Sequence, residues 1–204
     1  MSTRMTPGLI CAASGALGIA LGALTLAWPR AVSDDVWSYP FSFATGVAIG
    51  VILAVVHLMT LAGYVWVRTL PTRRIVTAAL CTAACGFVLL AGAEIAGGVI
   101  GRQRSESSAA SAVDAAFGIS SLLVAAGSIA LGVVLVRATA GRLIGLSGIV
   151  LLAAVTPANF TDSLGLQMSA LMVWSACFVA LGVVLARRPR TAPAGSGLVS
   201  AACG

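Results

Sequence analysis

The sequence predicts an all-α membrane protein, a bundle of six transmembrane helices with both termini cytoplasmic. Three observations carry that reading. Of 204 residues, 59% are hydrophobic and only 9% charged, with a mean hydropathy of +1.05, far outside the balance of a soluble domain. Six apolar runs, 9–28, 41–67, 75–100, 115–136, 143–160 and 166–186, approach the roughly 20 helical residues that cross a hydrocarbon layer about 30 Å thick. Arginine, finally, is concentrated in alternate connections.

The first run, from Leu9 to Trp28, is long for a signal-peptide core and is followed by further spans, so it is read as a retained helix. Gly8, Cys11, Gly15, Gly18, Gly22 and Thr25 recur along it at steps of three and four, a continuous stripe of small side chains that lets another backbone approach. In the second run, Gly46, Gly50, Ala54, His57, Thr60 and Tyr64 share one face, and Val51, Ile52, Val55, Leu58 and Met59 occupy the rest. His57, the only histidine, therefore faces other helices. The third run carries Glu94 as its one ionisable side chain. The fourth aligns Asp114, Gly118, Ser121, Ala125, Ser128 and Gly132, and the fifth, the shortest and with Pro157 near its end, aligns Gly141, Gly145, Gly148, Thr156 and Asn159. Residues 1–186 thus form one domain, and the Pro-, Gly- and Ala-rich stretch 187–204 is expected to be a disordered cytoplasmic tail.

Orientation follows from retention of positive charge in the cytoplasm. Arg4, Arg68, Arg73, Arg74, Arg137, Arg142, Arg187, Arg188 and Arg190 fall in one set of connections, and Arg30, Arg102 and Arg104 in the other, nine against three. The acidic residues Asp34, Asp35, Glu94, Glu106, Asp114 and Asp162 lie in or beside the arginine-poor set, which makes Asp34, Asp35, Asp114 and Asp162 an outer rim. Loop 29–40, with Trp28, Trp37, Tyr39, Phe41 and Phe43 around it, is expected to be an ordered external element, whereas "GRQRSESSAASAVD" reads as a flexible linker. All 12 basic residues are Arg, as in a GC-rich genome, so a bacterial inner (plasma) membrane is the expected location. The net charge of +6 resides at the ends of apolar runs, where it sets topology and does not point to nucleic acid.

At about 1.5 Å per helical residue, Glu94, 20 residues beyond Arg74, stands about 30 Å up, at the outer boundary. His57, 11 residues from Arg68, stands about 16 Å up, near the centre. No carboxylate is expected at the depth of His57, which weighs against a proton-driven pump, and a neighbouring carbonyl or hydroxyl is expected to satisfy the ring. His57, Glu94 and Asn159 remain the candidates for ligand contact or proton relay.

Five cysteines, Cys11, Cys81, Cys85, Cys177 and Cys203, read as free thiols. A Cys81–Cys85–His57 metal site with Met168 and Met172 as further ligands is conceivable, yet the C-x-x-C spacing is absent and soft side chains are ordinary core filling. No metal and no cofactor are expected. Pairs of glycines four apart at 18–22, 46–50, 97–101 and 141–145 are assigned to packing within the bundle, with a homo-oligomer face as the alternative.

Residues 38–68, "SYPFSFATGVAIGVILAVVHLMTLAGYVWVR", resemble uncharacterised multi-pass membrane proteins of actinobacteria, with an aromatic-Pro element before helix 2 and a His-Leu-rich second half. The resemblance covers the layout of 9–186 and implies no particular activity. Lacking a nucleophile beside a base, the chain is expected to be a non-enzymatic membrane accessory, sensor or scaffold. The alternatives are a small-solute transporter with His57 lining a central site, and an intramembrane lipid-modifying enzyme. Expected partners are the bilayer, anionic lipids at the cytoplasmic arginines, and a membrane protein or second copy of the chain.

Overall fold

The computed structural model describes residues 7–64, 74–158 and 163–187. Its helices are α1 (Pro7–Ala27), α2 (Phe43–Tyr64), α3 (Arg74–Val99), α4 (Ser108–Val134), α5 (Thr139–Val150) and α6 (Leu164–Ala186). Five of them are long and apolar enough to cross a membrane, and α5 with its continuation forms a shorter apolar helix, Thr139–Val155.

Local chemistry accounts for the boundaries. Pro7 is the first described residue of α1. Ser107 caps α4 by accepting from the Ala110 N–H at 3.2 Å, and Ser163 caps α6 by accepting from the Leu166 N–H at 3.3 Å. Ser107 starts α4 seven residues before the expected 115, so the second half of the expected linker is helix. After α5 the chain widens into π-helix over Leu151–Val155 before a last turn, Thr156–Ala158. Pro157 supplies no N–H to the helix behind it, and Thr156 returns to the Leu151 carbonyl with both its N–H and its Oγ1, the latter at 2.9 Å.

The helices close into a ring in which α1 lies on α2 and α6, α3 on α2 and α4, and α5 on α4 and α6. Small residues set most of these seams. A Cβ added at Gly8 would stand 2.7 Å from the Ala186 nitrogen, one at Gly15 would stand 2.6 Å from the Ser175 carbonyl oxygen, and one at Gly22 would meet the Met172 side chain. Gly18 lies against Ser175, so the four glycines of the α1 stripe face α6, while Cys11 also meets Gly63 of α2. On α4, Gly127 lies against Ala83 of α3 and Gly132 against Gly145 of α5, while Gly141 is pressed on Leu135 at the turn between α4 and α5. The expected α4 stripe is used only in part: Ser121, Ala125, Ser128 and Gly132 are buried, whereas Asp114 is exposed and Gly118 has open space where a Cβ would be.

Inside the ring, aromatic side chains fill the space. Tyr64, Phe87 and Phe178 are almost wholly buried, with Trp174 beside them. Ring centroids lie 5.3 Å apart for Tyr64–Phe87 and 5.0 Å for Trp174–Phe178, and Phe87 stacks on Trp174 at 6.4 Å. Tyr64 Oη shares hydrogen bonds with Ser128 Oγ at 2.8 Å and Ser147 Oγ at 3.3 Å, which ties α2 to α4 and α5.

One end of the ring is capped by the connections α1–α2 and α3–α4. The Trp37 N–H donates to the Gln103 carbonyl (3.0 Å), Ser38 N–H to Gly101 (3.2 Å) and Ser105 N–H to Asp35 (2.8 Å), and Val36 and Arg104 form an isolated antiparallel bridge. Loop 29–40 is the ordered element expected, and the first half of the α3–α4 segment is fixed to it. Among the described residues this bridge is the only β pairing.

Candidate functional site

The site lies beneath the cap, where α2 and α3 cross with almost no side chain between them. A Cβ at Gly50 would stand 2.5 Å from the Glu94 carbonyl oxygen, and one at Gly98 3.1 Å from the Val47 Cα. The backbone of Glu94 is therefore level with Gly50, seven residues or about 10 Å before His57 on α2.

The two side chains nevertheless meet. His57 Nε2 and Glu94 Oε1 are 3.2 Å apart. Side chains tilt toward the N-terminus of their own helix. The antiparallel run of α2 and α3 therefore sends the imidazole toward the cap and the carboxylate away from it. This corrects two expectations: a carboxylate does stand at the level of the imidazole, and the ring's partner is that carboxylate, not a carbonyl or hydroxyl. Counting residues from flanking arginines addresses only the backbone and leaves out the reach of two long side chains in opposite directions.

His57 is only 4% exposed, as its helical face predicts. Its ring lies 5.9 Å from that of Trp174, tilted by 45°. Trp174 Nε1 is the one buried side-chain nitrogen or oxygen among the described residues with no hydrogen-bond partner. One turn further along α2, Thr60 Oγ1 is 3.0 Å from Ser14 Oγ on α1. The pair is thus joined to the packed interior on one side.

On its other side, the Glu94 side chain is 16% exposed, and Glu94 lines an open vestibule of about 210 Å³ beside the cap. Trp37, Tyr39 and Phe41 of the cap, Phe117 of α4 and the glycines of α2 and α3 line it. Glu94 is the only ionisable carboxylate or base among its lining side chains, Tyr39 contributing a phenol. Two arginines sit on neighbouring rings: Arg30 lies 5.9 Å from the Tyr39 centroid and Arg102 lies 4.3 Å from that of Phe43.

The other candidates are distributed differently. Asp34, Asp35 and Asp114 are exposed and do not line the vestibule, and Asp35 pairs with Arg104 at 3.6 Å on the surface. Asn159 and Asp162 lie outside the described residues, as do Arg4, Arg68, Arg73, Arg188 and Arg190 and the tail from 188 onward. Gly46 and Gly50 border the vestibule as well as packing. Cys81 and Cys85 are exposed on α3, away from the buried His57, and no group of three His, Cys, Asp or Glu residues that could hold a metal occurs among the described residues.

Sequence reasoning passed over Trp174, Trp37 and Phe117. Trp174 left one signal: a tryptophan in the middle of an apolar run, four residues before Phe178, is away from the interfacial position its ring favours. Trp37 was visible only as part of the aromatic group around loop 29–40, and Phe117 carried no signal at all. No protein-family model, no curated protein and no solved structure matches the chain.

Proposed function

We propose that the chain is a six-span protein of a bacterial inner membrane, with both termini in the cytoplasm, that works as a non-enzymatic sensor or accessory bundle. Its input is the vestibule, which on this reading opens to the outside. The nine-to-three arginine asymmetry supports the orientation, and the aromatic cap suits the outer interface. The observation that carries the functional reading is the Glu94–His57 contact at 3.2 Å, because it joins the lining of a vestibule to an interior already filled by Trp174, Phe87, Phe178 and Tyr64. A change of charge or contact at Glu94 is then felt by His57 and passed to the packing of α6. Solute need not cross.

The output partner is a membrane protein or a second copy of the chain, with anionic lipid at the cytoplasmic arginines. Affinity purification from native membrane, with crosslinking, should recover a stoichiometric partner. A chain that purifies alone and carries solute in proteoliposomes, losing flux but not fold on His57→Ala, would sink this reading. That outcome would establish the transporter alternative, which the vestibule above a His–Glu pair favours.

A further inference from the structure

We infer that the vestibule is a binding site for a small organic ammonium ion. This deepens the proposed reading and rests on the vestibule being the input. The argument begins with the lining. Four aromatic residues from two separate parts of the chain, Trp37, Tyr39 and Phe41 of the cap and Phe117 of α4, line the same pocket as one carboxylate residue, Glu94 of α3. Ring faces carry the negative part of a quadrupole and attract an alkylammonium within about 6 Å. Arg30 already sits on the Tyr39 ring, which leaves Trp37, Phe41 and Phe117 for a ligand cation.

Competing ligand classes fit less well. A neutral apolar ligand would strip water from a carboxylate that has only His57 as a partner among the described residues, an uncompensated cost. A hard metal ion asks for about six oxygen ligands, and the lining offers one carboxylate. An anion would meet Glu94, the one carboxylate of the lining, and neither Arg30 nor Arg102 is among the lining residues. An organic cation has use for both features: its charge lies above Glu94 and its alkyl groups lie against the rings. The volume of about 210 Å³ is that of several water molecules, enough for a trimethylammonium head on a short chain.

The test uses the full chain in lipid nanodiscs, where both faces are open to solution and orientation does not matter. Choline is titrated calorimetrically beside its neutral isostere, 3,3-dimethylbutan-1-ol. Choline should bind saturably and the isostere at least about tenfold more weakly. Glu94→Gln, which can still hydrogen-bond His57, should cut that difference at least about threefold, leaving the share owed to the rings. Trp37→Leu should weaken choline about three- to tenfold at unchanged thermal stability. Should Glu94→Gln fail to fold, Trp37→Leu and Phe117→Leu carry the same comparison. Equal binding of the isostere, choline binding indifferent to these variants, or no saturation by choline or benzyltrimethylammonium below about 10 mM each overturns the site. The two claims fail separately. Loss of choline binding with a copurifying partner leaves the sensor reading standing, whereas choline flux through a choline-binding bundle removes the sensor and keeps the site.

Discussion

At the capped end, α2 and α3 touch through glycine and leave a vestibule beside the contact. Further along, the same two helices face each other through Tyr64 and Phe87, whose rings lie 5.3 Å apart and leave no room. One pair of helices thus supplies both the opening and its floor. The difference comes from side-chain size along a single helical face, from Gly46 and Gly50 to His57 and Tyr64. The α1–α6 seam shows the other extreme, with Gly8 and Gly15 on one helix and Gly182 on the other bringing the backbones together. A membrane bundle gains little from apolar burial between helices and depends on fit, so a cavity persists only where glycine on one helix is not matched by bulk on the next.

That contrast can be broken most severely at the α1–α6 seam. Gly182→Val would place side-chain atoms against the Ala12 backbone and the Gly8 carbonyl, and should cost about 3 kcal/mol or more in equilibrium unfolding from bicelles. The next effect is at the vestibule lining. His57→Ala removes the one described partner of Glu94 and should cost about 2 kcal/mol, against less than about 1 kcal/mol for Glu94→Gln, which keeps a hydrogen bond. Equal losses would show that the carboxylate charge, which Gln cannot supply, carries the stabilisation. Deeper in, Tyr64→Phe removes the bonds to Ser128 and Ser147, of which Ser147 keeps its own to the Ile144 carbonyl, and should cost about 1 kcal/mol, since hydrogen bonds between membrane helices are individually modest. The smallest change is expected where α4 has no neighbour. Gly118→Ala enters open space and should shift stability by no more than about 0.5 kcal/mol, in the favourable direction. A marked loss there would mean that this face is covered by a partner.

Much of the fold could be read from the residues, because hydrophobic length and small-residue spacing are local properties. The buried face of α2, with His57 on it, and the α1 stripe both follow from a 3.6-residue period. The α4 stripe shows the limit. Asp114 and Gly118 continue the period, but whether a neighbour covers them depends on how α3 and α5 are placed, which no period encodes. The start of α4 was missed because Ser107 sits in a polar, small-residue stretch where a cap resembles a linker. The site was half legible: His57 and Glu94 were each singled out, yet their contact depends on the register between two helices and on opposed side-chain tilts. The π-helical stretch left only Pro157 as a trace.

The mutual fit of α1 and α6 has a consequence for how the molecule is made. More than a hundred residues of chain separate these helices, so during synthesis the glycine groove of α1 has no occupant until α6 emerges. The nascent protein is until then an open horseshoe, and a chain halted before Leu164 would carry an uncovered groove into the lipid, where any other helix with a small-residue flank could settle into it.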